Sequence, residues 1–149
     1  MNQHATPTTI ALPTTGRRAA YAFFRDGLGL PTPGDPAEDG VPEPLRVVLN
    51  SDTEVMLIPA DGFAFVTGRE ATSDGRAECM ISLPTESPAE VDARFARAVG
   101  GGGTAVAPPA MTPWGSFYRA LVADPDGHLW QLMCLDAGGQ ASAGSEEDA

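Results

Sequence analysis

Across residues 8–13 apolar and small polar side chains alternate, the period of a strand with one buried face. After Pro13-Thr14-Thr15 the period lengthens. Ala20, Phe23, Phe24 and Gly27 fall on one side of a helix expected over roughly 16–26, with Thr14 or Thr15 as its cap and Gly27 and Gly29 as its stop. Residues 45–50 and 54–59 alternate again around Ser51-Asp52, which predicts a hairpin. The same order restarts with a strand at 78–83. Ser87-Pro-Ala-Glu90 is a capping box with proline at the first helical position. Val91, Phe95, Ala98 and Val99 form the buried stripe behind it, and the glycines at 100–103 end the helix. Strands are expected at 104–107, 116–123 and 128–135, the last two joined by the tight turn Asp124-Pro-Asp-Gly127.

The restart is a repeat. Ile10, Leu12, Pro13, Thr14, Ala22, Phe24 and Gly29 return 71 residues later as Ile81, Leu83, Pro84, Thr85, Ala93, Phe95 and Gly100. A second echo aligns residues 50–58 with 124–132, at an offset of 74. Two similar modules facing each other leave a natural ligand cleft between them. The expected organisation is one domain at 8–136, with module one at about 8–67 and module two at about 76–136. Residues 1–7 and 137–149 read as disordered ends, the second an acidic tail. Residues 31–44, with five prolines and four acids, read as a surface insertion or a lid. Residues 60–77 read as a connection whose Phe63, Phe65 and Val66 plug a core edge or line a ligand mouth.

Strand parity then sorts the side chains. One face takes Ile10, Leu12, Met56, Ile58, Cys79, Ile81, Leu83, Trp130, Leu132 and Cys134, all apolar, and should pack on the helices with both thiols buried and inert. The other takes Thr9, Ala11, Val55, Leu57, Glu78, Met80, Ser82, Leu129, Gln131 and Met133, a mixture that suits a pocket wall with a few polar anchors.

Charge narrows the partners. The net charge is −11, with nine arginines and no lysine, which disfavours nucleic acid and tolerates a cationic small molecule. No apolar run approaches the ~20 residues of a membrane span, and no secretion signal opens the chain. Two cysteines are too few for a disulfide framework, which fits a cytoplasmic location. Gly100–Gly103 follows a helix instead of preceding one, so it does not cradle phosphate.

Phe23-Phe-Arg-Asp-Gly-Leu-Gly-Leu30, the duplicated strand–helix units and Asp124-Pro-Asp-Gly-His-Leu-Trp-Gln131 together resemble the vicinal oxygen chelate superfamily, the glyoxalase, bleomycin-resistance and extradiol-dioxygenase group. The resemblance covers about residues 8–136. It implies an α+β fold in which two tandem βαβββ modules form a U-shaped, partly open β-barrel cleft with helices outside, and members commonly form homodimers. Metal-dependent members hold a divalent ion with His, Gln or Glu from the first and last strand of each module. The matching positions here are Thr9, Leu57, Met80 and Gln131, of which only Gln131 is a credible ligand. Exchanging Met80 for Glu78 still leaves one charged donor, and His4 and His128 do not complete the set. No metal or other cofactor is therefore expected.

The resulting expectation is a metal-free binder of a small organic molecule, cationic or aromatic, of the resistance-type sequestering kind. Thr9, Leu57, Glu78, Met80 and Gln131 would form the wall. Trp114 and Phe117 would either stack on the guest or close the core, and the stiff segment 108–115 would set Trp114 at the mouth. Arg119 would form an internal ion pair in preference to meeting an anion. The alternative is an enzyme of the same superfamily, a lyase, isomerase or dioxygenase with or without a metal. Glu78 is the candidate base if that chemistry is metal-free.

Overall fold

The alternating N-terminal run forms β1 (Thr8–Thr14), and Arg17–Ala22 forms α1, which loosens into a π-helical turn over Phe23–Gly27. Its buried side is the expected one, Ala20, Phe23, Phe24 and Gly27. Its cap is not: Gly16 holds the N-cap position with no side-chain bond, because the Thr14 and Thr15 hydroxyls turn to Asp126. Then come β2 (Leu45–Asn50), β3 (Thr53–Pro59), α2 (Ala60–Thr67), β4 (Met80–Pro84), α3 (Pro88–Gly100), β5 (Thr104–Met111), β6 (Tyr118–Ala123) and β7 (Leu129–Cys134). This computed structural model describes residues 6–71, 77–115 and 117–135. Of the ends expected to be disordered, 1–7 and 137–149, all but residues 6 and 7 lie outside them.

The strands make two sheets, ordered β1-β3-β2 and β4-β7-β6-β5, neither closed into a barrel. In each sheet the module's first strand runs parallel to its last. The modules are unequal. Where module two has β5, module one has residues 31–44, whose prolines remove ladder donors and leave one isolated bridge, Pro36 to Pro42. Arg17 pins this segment, pairing with Asp39 (3.1 Å) and Glu43 (2.7 Å) and donating to the Val41 and Pro42 carbonyls.

Register corrects the faces of module one. Ile10 lies opposite Val55 and Leu12 opposite Leu57, so Val55 and Leu57 share the core side with Leu45 and Val47. Met56 and Ile58 take the other side. The expected faces of β1 stand, with Ile10 and Leu12 toward the core, but those of β3 are inverted because they rest on aligning the Ser51-Asp52 hairpin with the longer turn at 124–128. Met56 lies opposite Ala11 as Gln131 lies opposite Ser82, so the last strands match at an offset of 75. A one-residue slip exchanges the two faces of a strand.

Module two has the expected faces, with Leu83, Trp130, Leu132 and Cys134 buried. Cys79 differs: it precedes β4, pairs with no strand, and is exposed. In α3 the serine half of the capping box forms, Ser87 Oγ accepting from Glu90 N (3.1 Å), while Glu90 Oε1 reaches one residue further back and accepts from Glu86 N (2.9 Å). Val91 and Ala98 are buried, whereas Val99 turns to solvent.

One core joins the modules. Phe24 meets Trp130 edge-to-face at 5.1 Å. The glycine run lets the helices of the two modules touch: a Cβ on Gly101 would sit 2.8 Å from Gly27 Cα, and one on Gly103 would sit 2.7 Å from the Phe23 ring. Arg94 and Arg97 then donate to the Leu28 and Asp26 carbonyls (3.0 Å each), tying α3 to the end of the first helix.

Candidate functional site

The carboxyl end of β1 meets the β6–β7 turn across the module boundary. Asp126 accepts from Thr14 Oγ1 (2.6 Å), Thr15 Oγ1 (2.9 Å) and Thr15 N (2.8 Å). His128 Nε2 lies 2.8 Å from the Pro13 carbonyl, which can only accept, so the proton resides on Nε2. Asp124 shapes the turn itself. Its Oδ1 accepts from the Asp126 and His128 amides, and its Oδ2 from Trp130 Nε1 (3.1 Å). Burial pushes the Asp124 carboxyl above its ordinary pKa, against the opposing pull of His128 and these donors. Gly127 completes the turn at φ +90, a conformation that favours glycine.

This clasp is the floor of a cleft of about 950 Å³. Ala11, Leu12 and Pro13 of β1 line one side, and Glu78, Cys79 and Leu129 of module two line another. Ala60, Phe63 and Thr67 of α2 form a third wall, with Arg69 and Glu70 just beyond. The sequence reads 60–77 as a connection, but Ala60–Thr67 of it is helical and stops at Gly68 in the left-handed conformation.

Of the wall and stacking residues expected from the sequence, Thr9, Leu57, Glu78, Met80, Trp114, Phe117 and Gln131, this cleft takes up Glu78 alone, together with Ala11 and Leu129 of the expected pocket face and Phe63 of the expected mouth. Leu57 is 2% exposed, inside the core, for the reason of register given above. Thr9 is exposed on the open face of the first sheet, donating to Glu54 (3.1 Å), a buried carboxylate that also accepts from Arg46 (3.1 Å). Met80 is exposed on the open face of the second sheet, beside the row Ser82–Gln131–Leu121. Gln131 Nε2 donates to Ser82 Oγ (2.7 Å). Trp114 is exposed, with Phe117 edge-to-face at 6.2 Å and the Arg119 guanidinium 5.9 Å from its ring. Among the described residues Arg119 has that ring as its neighbour instead of the expected carboxylate. Thr9, Leu57, Met80 and Gln131 thus do not meet in this hollow.

Two features escape a reading of the sequence. His128 lines the cleft although its parity points away, because it leaves the turn before β7 begins. Glu54 alternates correctly only once the register is known.

A model of the Glyoxalase/Bleomycin resistance protein/Dioxygenase superfamily matches residues 6–132. The chain belongs to this superfamily. Solved structures agree. A glyoxalase-related enzyme from Fulvimarina pelagi superposes with a TM-score of 0.73 at 23% identity, over 87% of each chain. A hypothetical protein from S. aureus gives 0.72 at 22%, over 89% of this chain and 95% of that one. An antibiotic binding protein from Streptomyces sp. CB03234 gives 0.57 at 22%, over 88% and 96%. At these identities the likeness establishes the fold. None of the curated proteins matches the sequence.

Superfamily membership implies a metal position, and the residues do not fit it. With the corrected register the four positions are Thr9, Met56, Met80 and Gln131, which offer no imidazole or carboxylate. Asp124, Asp126 and His128 bring ligand atoms within 4.8 Å of one another. Every one of their carboxylate oxygens already serves the clasp: both Asp126 oxygens hold threonines and both Asp124 oxygens hold N–H groups, while His128 Nε2 holds Pro13.

Proposed function

We propose that this superfamily member binds a small organic molecule without a metal and sequesters it in the cleft between its modules. The observation that carries the reading is the cleft itself. Its volume suits a drug-sized guest, and Leu12, Phe63 and Leu129 give it apolar walls. Among the described residues Glu70 and Glu78 outnumber Arg69 along its rim, and the whole chain is acidic, so the guest is a cation, planar enough to lie against Phe63. The antibiotic binding protein of like fold supports the same class of function. The reading extends to a homodimer in the cytoplasm. Met80 and Trp114 expose apolar surface that a second copy would cover, and both cysteines are free thiols suited to a reducing compartment.

A thermal-shift series with proflavine, berberine and ethidium tests it. At least one of these planar cations should raise Tm in proportion to the logarithm of its concentration. Glu78→Gln should fold normally and lose most of that shift. If none of the three moves Tm, or if Glu78→Gln keeps the full shift, the binding reading is wrong. The second reading is a metal-free enzyme, favoured by Glu78 reaching the cleft, where a carboxylate could accept a proton from a bound guest.

A further inference from the structure

The cleft has one fixed side and one weak side. Its floor is held by the Asp126 clasp and by His128 on Pro13, bonds that bridge the two modules. Among the described residues its α2 wall has no side-chain hydrogen bond to another element. Eight residues make a helix too short to persist on packing-independent propensity. None of the eight is buried, and the N-cap at Pro59 supplies no side-chain bond. Its interior carries Gly62, unfavourable by roughly 1 kcal/mol relative to alanine. Phe65 and Val66 stand 90% and 70% exposed, so the helix turns two of its apolar groups away from the protein and keeps Ala60, Phe63 and Thr67 on the cleft.

We infer that α2 is the lid of the cleft: it opens as a unit between Pro59 and Gly68 while the rest of the fold stays closed. Gly68, at φ +75 with its N–H on the Ala64 carbonyl, ends the helix and marks the far end of the opening unit. Opening withdraws Phe63 and Thr67 from the cleft, and closing sets the Phe63 ring over the space a guest would occupy. Local opening is expected where few apolar contacts oppose it, and loops and lids are drawn from such regions. The lid's role in admitting a guest rests on the binding reading above; its motion does not.

Amide hydrogen exchange of the full chain, followed by NMR with no ligand present, tests the motion. The α2 amides, including Gly68 N on the Ala64 carbonyl, should be at least about a hundredfold less protected than those of β7. Gly62→Ala fits the space, its Cβ 3.4 Å from Ile58 Cγ2. It should slow α2 exchange about fivefold, from its gain in helix propensity, and leave β7 unchanged. Phe63→Ala should speed α2 exchange alone. Exchange of α2 in step with β7, or a Gly62→Ala effect shared equally by both, overturns the lid. No guest enters the measurement, so the opening of α2 stands or falls separately from the binding of cations.

Discussion

Asp126 carries more of the architecture than its half-exposed position suggests. One carboxylate holds two hydroxyls and one backbone amide of the other module, at 2.6–2.9 Å. Bonds to a charged acceptor are individually worth about 1.5–3 kcal/mol, but two of these three are exposed to water and the contributions do not add. We expect Asp126→Ala to cost about 2 kcal/mol in urea denaturation. Asp126→Asn, which keeps one acceptor oxygen, should cost roughly half as much. A loss under about 0.5 kcal/mol, the range of an ordinary surface change, would show that the clasp does not stabilise the fold. The residue-level chemistry of the clasp is invisible in the sequence. Thr14 and Thr15 carry the generic signature of a helix cap, and nothing local reveals that a carboxylate more than a hundred residues away competes for them.

At the scale of elements, the alternation and the repeat are strong enough to give nearly every strand, both long helical stripes and the two-module plan. They fail where two elements of different length are aligned. The β2–β3 hairpin and the β6–β7 turn look like copies, yet one extra residue in the second changes parity, which puts Leu57 on the wrong face. The start of β4 fails for a related reason: no turn residue marks it, so parity counts Cys79 into a strand it only precedes. Helix α2 is hidden because its Gly62 and the glycine, serine and aspartate residues beyond it mimic a loop. Register makes the sharpest prediction at this scale. Leu57→Ala empties a core position and should cost about 2–5 kcal/mol, whereas Met56→Ala, half-buried on the open face, should cost under about 1.5 kcal/mol. Equal losses from the two, measured as denaturation midpoints, would contradict the pairing of Leu12 with Leu57.

The whole molecule presents two sheets whose inner faces share a core and whose outer faces differ in character. The first sheet's open face carries the Thr9–Glu54–Arg46 cluster. The second carries exposed Met80, with Met133, Leu121 and Arg119 in register around Gln131, and Trp114 in the loop before β6 with the Arg119 guanidinium 5.9 Å from its ring. Monomers keep large apolar patches off their surface unless something covers them, and this one is rimmed by polar groups. Strand β5 adds an unpaired edge, blunted by Pro108 and Pro109 and by its register shifts, so simple edge-to-edge extension of the sheet is disfavoured. Face-to-face association through the second sheet is then the economical arrangement. Sedimentation velocity should therefore show a species of twice the 15.4 kDa chain mass. The double variant Met80→Glu/Trp114→Glu places two carboxylates where apolar groups would meet, and should sediment as a monomer with an unchanged far-UV spectrum. The same pair of charges on a face that stays in water would alter stability by only about 0.5 kcal/mol. A native chain that sediments as a monomer at every concentration, or a double variant that keeps the larger species, would remove the second sheet from the interface.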